Sequence, residues 1–233
     1  MSKPDLSIII PTINEAGRIG LLIDAIQRKG DCNITKEFII ADGGSTDETV
    51  SIAESSGACV IHCGVKGRGA QMNRGAKVSK ADLLYFLHAD TIPPENFDRQ
   101  IVDSCEKGYE SGCFRLRFDD PNLLLSIYGW FTRFKATWLR FGDQSMYTKK
   151  KLFHSISGFK EDLQVMEDQE IVSRLKKNSR FIVLDDYVIT SARRYRKDGI
   201  IRLQLIFGLI LTLYYTGAKQ ETLVNIYQKL IRS

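Results

Sequence analysis

Residues 83–91 read Leu-Leu-Tyr-Phe-Leu-His-Ala-Asp-Thr, and this stretch decides the class of fold. An apolar run without polar alternation, too short for a typical helix, is typical of a parallel strand that is covered on both faces. The run ends at a polar pair and places one carboxylate, Asp90, just beyond the strand. Ligands of open α/β sheets bind outside the carboxyl ends of such strands. Asp90 is therefore a candidate site residue.

Three earlier apolar runs repeat this pattern, at residues 6–10, 38–41 and 58–63. They are followed by Pro-Thr-Ile-Asn-Glu at 11–15, Asp-Gly-Gly-Ser at 42–45 and Gly64, respectively. Apolar residues at helical spacing after the first run, a Ser-x-x-Glu capping box at 45–48 and two later segments predict helices over 19–30, 45–57, 70–78 and 94–107. Strands alternating with helices predict an α/β fold with a Rossmann-like, doubly wound, mostly parallel sheet flanked by helices.

The second half of the chain changes character. We predict a strand at 112–118, a helix at 123–135, two short strands at 181–184 and 187–190, and helices at 200–216 and 220–232. We expect residues 1–197 to form one α/β domain, and residues 198–233 to form a helical extension that packs on it or at an interface.

Composition narrows the class of protein. A length of 233 residues suits one α/β domain, and a net charge of +5 is too mild to predict a nucleic-acid partner. Basic residues nevertheless cluster at 149–151, 176–177 and 193–197. These clusters are either a solvated face or a surface that meets a phosphate-bearing substrate or an anionic membrane.

The five cysteines form no C-x-x-C pair, so we expect neither a disulfide framework nor a zinc site. A cytoplasmic location is expected, because the N-terminus runs into the first strand without an apolar signal region. The apolar run 203–215 is shorter than the roughly 20 residues that span a bilayer. It packs in the core, forms a dimer contact, or lies peripherally on the inner face of a membrane.

Five motifs, in order, resemble those of family 2 glycosyltransferases with the GT-A fold, in particular the small bacterial type. They are Pro-Thr-Ile-Asn-Glu at 11–15, Asp-Gly-Gly-Ser-Thr-Asp at 42–47, Gly-Arg-Gly-Ala-Gln-Met-Asn at 67–73, His-Ala-Asp at 88–90 and Glu-Asp-Gln-Glu at 167–170. The resemblance covers about residues 5–195. It implies an inverting transferase of a hexosyl type that uses a nucleotide-sugar donor, UDP- or GDP-linked.

The resemblance implies a role for each motif. Asp42 would take the base or ribose of the donor, although Gly43 stands where the family usually has a second acid. The Gly-Arg-Gly loop would bind the diphosphate, since it offers a guanidinium and helix N-terminal amides. The implied donor-binding residues are Pro11, Thr12, Asn14, Glu15, Asp42, Arg68, Asn73, Ala89 and Asp90.

Asp90 occupies the last position of the family's D-x-D element and would hold Mn²⁺ or Mg²⁺ against the donor diphosphate. His88 replaces the first aspartate, and it is either a metal ligand or a histidine that satisfies a local hydrogen bond. Asp168 resembles the catalytic base, although acids at a helix start are also favoured by the helix dipole. Acceptor or diphosphate contacts are expected from Asp143, Gln144, Glu167, Arg193 and Arg194.

Two other functions remain open at this point. A nucleotidyltransferase of related fold would carry a glycine-rich basic signature after the first strand, where this chain has Thr-Ile-Asn-Glu at 12–15. A non-catalytic GT-A partner of a membrane assembly is suggested by Gly43 and His88, which replace usual acids. The sugar, the nucleotide, the hydroxyl acceptor, which includes lipid-linked acceptors, and the oligomeric state are not specified.

Overall fold

The computed structural model describes residues 3–64, 67–140 and 144–231. In these ranges the strands form a single sheet in the order β3-β2-β1-β4-β7-β6-β8-β5. Their bounds are β1 Leu6–Thr12, β2 Lys36–Asp42, β3 Cys59–His62, β4 Leu83–Phe86, β5 Thr91–Ile92, β6 Ser111–Phe118, β7 Met146–Lys149 and β8 Phe181–Thr190.

Helices connect and cover these strands. Their bounds are α1 Ala16–Lys29, α2 Thr49–Ser55, α3 Arg68–Val78, α4 Phe97–Glu106, α5 Leu123–Phe131, α6 Lys150–Ser155, α7 Glu167–Asn178, α8 Arg193–Asp198, α9 Ile200–Tyr215 and α10 Gln220–Ile231.

The four strands predicted first, β1 to β4, pair in parallel, and β8 runs parallel to β6. Only β7 and β5 pair antiparallel with their neighbours in the described residues. This mixed, mostly parallel sheet confirms the predicted fold class. Strand β7 lies between β4 and β6 and was not predicted, because its sequence Met-Tyr-Thr-Lys is neither part of a longer apolar run, as β3 and β4 are, nor long enough to show alternation.

Alternate residues of β1 pack against helices on opposite faces of the sheet. Ile8 and Ile10 join a cluster with α1 and α4, whereas Ile9 joins a cluster with α3, α6 and α7. All three side chains are fully buried. This double coverage explains why β1 shows no polar alternation in the sequence.

Several predicted element ends are wrong by three or four residues, and three differences have a clear structural reason. Helix α2 begins at Thr49 instead of Ser45, because the Ser45 hydroxyl accepts from the Asn14 amide at 2.9 Å and donates to Asp42. The Asp47 carboxylate instead accepts from the Thr49 amide. Helix α5 ends at Phe131, where Thr132 turns its hydroxyl back to the carbonyl of Gly129. The two short strands predicted over 181–190 are one strand, β8, with an irregular register opposite residues 114 and 115 of β6.

Helices α9 and α10 pack on each other around buried Leu203, Ile206 and Leu223, and the cluster extends to Val165 and Met166 before α7. Within the described ranges, no helix combines the length and apolar character needed to cross a membrane. The division of the chain at residue 197 stays a prediction.

Candidate active site

The carboxyl ends of β1, β2 and β4 lie side by side at one edge of the sheet. Thr12 is paired with Asp42 in the β1–β2 ladder, and Ile9 is paired with Phe86 in the β1–β4 ladder. The amide of Leu87 extends the second pairing by donating to the carbonyl of Ile9 at 3.1 Å. Parallel register therefore brings the polar residues that follow these strands to a common edge, as the sequence predicted.

Asp42 is buried, and its own turn surrounds its carboxylate. Oδ2 accepts from the amides of Gly44 at 2.9 Å and Ser45 at 3.0 Å, and the Ser45 hydroxyl donates to Oδ1. His62 Nδ1 lies 3.9 Å from Oδ2. These bonds shape the turn after β2, so Asp42 has a clear structural role, and its contact with a donor stays a prediction.

Gly43 has a steric reason for its identity. A Cβ atom there would lie 2.9 Å from Gln71 Nε2 and 3.3 Å from the carbonyl oxygen of Thr12. Gln71 is buried and donates to the carbonyls of Thr12 at 2.9 Å and Ala41 at 2.7 Å. The side chain of Gln71 therefore ties α3 to β1 and β2 and occupies the space that an acid at position 43 would need.

The loop after β1 is bound to the loop after β2. Asn14, which has a left-handed φ of 54°, accepts from the Thr46 amide at 2.8 Å. The Glu15 amide donates to the Thr49 hydroxyl at 2.8 Å, and the Glu15 carboxylate pairs with Arg18 at 2.7 Å. Both residues stand at the predicted edge, next to Pro11 and Thr12, and their polar groups hold the two loops together.

Arg68 and the acids of α7 meet across this edge. Arg68 begins α3, and its Nη2 lies 2.8 Å from Oε1 of Glu167 and 3.9 Å from Oδ2 of Asp168. The Arg68 side chain is about half exposed, whereas Glu167 is buried. The sequence predicted these residues as a diphosphate-binding arginine and a catalytic motif, and the fold brings them into contact although 99 positions separate Arg68 from Glu167.

Glu167 is a buried carboxylate with few partners. Neither of its oxygens accepts a hydrogen bond among the described residues, so the short contact with Arg68 is an ion pair with poor hydrogen-bond alignment. Burial raises the pKa of Glu167, and the nearby Arg68 only partly offsets this effect. A buried carboxylate without hydrogen bonds is stabilised when it binds a proton or a cation.

His88 and Asp168 line the same small cavity, of about 20 Å³, together with Gln144, Arg140 and Cys113. His88 and Gln144 are buried, and the Gln144 amide donates to the carbonyl of Leu139 at 3.1 Å. The cavity brings the strand-end histidine, the predicted base and the predicted acceptor residue Gln144 together.

Arg140 is the main residue of this region that sequence reasoning missed. It is buried, and its Nη2 donates to the carbonyl of Thr132 at 2.6 Å and to that of Phe134. Its Nη1 lies 3.3 Å from Cys113 Sγ, and burial raises the pKa of that thiol. No pattern in the sequence distinguishes this arginine from a surface arginine.

Ala89 is buried and Asp90 is half-buried at the end of the β4 run. The Asp90 carbonyl accepts from the Ser191 amide at 3.1 Å, which brings the start of α8, with the exposed Arg193, toward Asp90. No group of three or more His, Cys, Asp or Glu side chains suited to a metal ion occurs in the described part of the chain. A cation at Asp90 and His88 would therefore need further ligands from a substrate.

Two predicted residues have other contacts. Asn73 pairs with the backbone of Phe159, donating at 2.8 Å and accepting at 2.9 Å, and so holds the loop after α6. Arg194 donates to the hydroxyl of Tyr227 at 2.7 Å and joins α8 to α10. Their contacts with substrate stay predictions. Asp143 lies outside the described residues.

Comparison with known proteins places this chain in a family. Residues 7–160, about two thirds of the chain, match the family model described as glycosyl transferase family 2. The chain belongs to this family. The match contains the three strand ends and Arg68, and it ends before Glu167 and Asp168.

A curated relative is the PGL/p-HBAD biosynthesis glycosyltransferase of Mycobacterium bovis, which is 28% identical over 204 residues and is aligned over 82% of this chain and 77% of the relative. Solved structures share the fold. The mannosyltransferase PcManGT of Pyrobaculum calidifontis, in complex with GDP-Man and Mn²⁺, has a TM-score of 0.70 at 16% identity, covering 100% of this chain and 69% of that one. S. aureus TarS 1-349, in complex with UDP, has a TM-score of 0.69 at 18% identity, covering 97% and 70%. The family 2 and GT-A assignments made from the motifs are therefore confirmed.

Proposed function

We propose that this family 2 member is an inverting glycosyltransferase that moves a hexosyl group from a UDP- or GDP-linked donor to a hydroxyl acceptor. Asp168 acts as the general base, and a divalent metal, Mn²⁺ or Mg²⁺, binds at Asp90. Five free cysteines, of which Cys63 and Cys113 are buried, suit a reducing compartment, so a cytoplasmic location is part of the proposal.

One observation carries the proposal. Arg68 contacts both acids at the start of α7, while His88 and Asp168 line one cavity at the carboxyl edge of the sheet. A cation suited to a diphosphate, a carboxylate suited to a proton and the strand-end motif thus meet within one site. Sugar transfer from a nucleotide diphosphate needs these three groups together.

In the proposed reaction Asp168 accepts the proton of the acceptor hydroxyl as that oxygen attacks the anomeric carbon and the bond to the diphosphate breaks. Arg68 stabilises the negative charge that grows on the leaving diphosphate. The attack comes from the side opposite the leaving group, so the anomeric configuration inverts. Glu167 stays buried behind Arg68 and holds the guanidinium at the edge of the site.

The side-chain atoms at the end of β4 suit a divalent cation whose remaining ligands come from the substrate. Asp90 offers carboxylate oxygens and His88 offers an imidazole nitrogen, a combination that fits Mn²⁺ better than Mg²⁺. When bound, the cation would neutralise charge on the diphosphate. The structures of PcManGT with GDP-Man and Mn²⁺ and of TarS with UDP-GlcNAc support this choice of donor and metal.

The proposal can be tested by a panel of nucleotide sugars in a thermal-shift assay, with Mn²⁺ and with a chelator. A ligand at 100 times its Kd stabilises the native state by about 2.7 kcal/mol. We expect at least one UDP- or GDP-sugar to raise the melting temperature only when the metal is present. A nucleotidyltransferase binds its nucleotide-sugar product as well as nucleoside triphosphates, so stabilisation by a triphosphate that exceeds stabilisation by every nucleotide sugar would favour that class. No response to any nucleotide would favour a non-catalytic partner.

A further inference from the structure

Helix α5 and the chain that follows it expose large apolar side chains. Within α5 only Leu125 and Gly129 are buried, and Leu123 retains 73% of its accessible surface. The main exposed residues here are Leu123, Ile127, Trp130, Phe131, Phe134 and Trp138. A contiguous apolar surface of this kind marks an interaction site in a folded domain.

Helix α9 exposes a second apolar row. It buries Leu203, Ile206 and Ile210 against α10, while Ile201 and Leu205 on the other face are 64% and 70% exposed. Leu209 and Tyr215 continue the exposed row. Helix α9 is thus apolar on both faces, and one face has no partner in the described chain.

Two sets of contacts link the segments that carry these rows. Near the start of each helix, Arg196 pairs with Asp119 at 3.1 Å and with Asp120 at 3.2 Å. At the other end, the Gln169 amide donates to the carbonyl of Trp138 at 3.2 Å and accepts from the Tyr215 hydroxyl at 3.1 Å. These contacts link the two segments at both ends, and we name the exposed residues of α5, the chain to Trp138 and α9 together the apolar band.

Charge favours one kind of partner for the apolar band. Residues 119–140 and 193–219, which contain it and the aspartates that join its rows, have nine Lys or Arg and three acids, a net charge of +6, whereas the whole chain has a net charge of +5. The rest of the chain is therefore close to neutral, and the net positive charge lies in these two segments. A second copy would bring the same positive charge to a symmetric contact, whereas an anionic bilayer would neutralise it.

The aromatic residues of the apolar band also favour a bilayer as its partner. Both tryptophans of the chain, Trp130 and Trp138, lie in the apolar band and are about half exposed. Tryptophan and tyrosine favour the boundary between lipid and water. A cavity of about 310 Å³ opens beside Trp130, where Arg117 stacks on Tyr187 and Arg133 stacks on Trp130. Its lining has these two guanidinium groups and one carboxylate, that of Asp120, and is therefore net positive.

The apolar band also adjoins the proposed active site. Gln169, which joins its two rows, follows Asp168 directly in α7. We propose that the apolar band docks on an anionic bilayer surface and brings a membrane-borne acceptor to Asp168. The docking stands independently of the sugar transfer, and only the delivery of an acceptor rests on the proposed function.

Vesicle flotation of the full-length protein tests the docking, with neutral phosphatidylcholine vesicles and with vesicles that also contain phosphatidylglycerol. Because both tryptophans lie in the apolar band, their fluorescence reports on it without a label. We expect binding to the anionic vesicles at low salt, with a blue shift of the emission, and loss of both at high salt. Ile127→Glu should weaken binding about tenfold, and Lys135→Gln should weaken it about fivefold.

Matched controls are Leu21→Glu on α1, where Leu21 is 71% exposed, and Lys77→Gln on α3. These variants should bind vesicles as the wild type does. Equal losses in Leu21→Glu and Ile127→Glu, or no binding at low salt, would overturn the proposal. A blue shift that appears without lipid as the protein dimerises would assign the apolar band to a subunit interface. The melting temperature of each variant without lipid shows whether the variant is folded. The response of that melting temperature to nucleotide sugars tests the proposed function separately from vesicle binding.

Discussion

The substitution Asp168→Asn separates chemistry from binding at the proposed site. An amide keeps the shape of the carboxylate but cannot accept the acceptor proton, so the transfer rate should fall about 10² to 10⁴-fold. This loss corresponds to about 3 to 5 kcal/mol of activation free energy. Donor affinity should change little, because the contact that disappears is a 3.9 Å ion pair to an Arg68 side chain that is 46% exposed. Such pairs contribute about 1 kcal/mol at most, or about fivefold in Kd.

The assay measures transfer of labelled sugar under saturating donor, and calorimetry measures donor affinity. Asp24→Asn, an exposed acid on α1, serves as the matched control and should behave as the wild type in both. Transfer retained within a few-fold in Asp168→Asn would refute the assignment of the base. Glu167 would then be the next residue to test, since Glu170 is already bound by Arg174 and Lys160.

Three further predictions concern metal binding, packing and pH. Asp90→Ala should abolish the strengthening of UDP or GDP binding by Mn²⁺, and calorimetry with Mn²⁺ and with chelator checks this. If the wild type binds the nucleotide with the same affinity in both conditions, the proposed metal site is wrong. Gln71→Met should lower the free energy of unfolding by about 2 kcal/mol, because it leaves buried carbonyls without a donor, whereas Gln27→Met on the exposed face of α1 should not; chemical denaturation measures both. Glu167→Gln should raise the melting temperature at pH 8 but not near pH 4. Burial raises the pKa of Glu167 in the folded protein above its unfolded value of about 4.3. Ionisation of Glu167 therefore destabilises the folded wild type as pH rises from the unfolded pKa through the folded pKa. A variant that is less stable than the wild type at pH 8 would contradict this direction of the pKa shift.

Sequence patterns predicted the first four strands and the location of the site because these features are local. Each buried strand is an uninterrupted apolar run, and the polar residues that end it must lie at the carboxyl edge once the strands are parallel. The contact between Arg68 and Glu167 required knowledge of the family's motif order, since no local pattern joins residues that are 99 positions apart.

Other features depend on tertiary packing and could not be read from the sequence. Ser45 has the pattern of a helix cap, but its hydroxyl oxygen accepts from the amide of Asn14, which follows a different strand, and the helix starts later. Gly43 looked like a lost acid, whereas the structure shows that Gln71 fills the space beside it. The sequence did not identify Arg140 as a buried residue, because the carbonyls of Thr132 and Phe134 that accept its hydrogen bonds are brought to it only by the fold.

The most direct test of the proposed function follows the phosphorus-containing products by ³¹P NMR. The protein is incubated with Mn²⁺, hydroxyl acceptors and the nucleotide sugar that best raises its melting temperature. Sugar transfer predicts that the corresponding nucleoside diphosphate accumulates, and that Asp168→Asn suppresses its release while Asp24→Asn does not. Release of pyrophosphate from a nucleoside triphosphate and a sugar phosphate, with the nucleotide sugar left intact, would contradict the proposal.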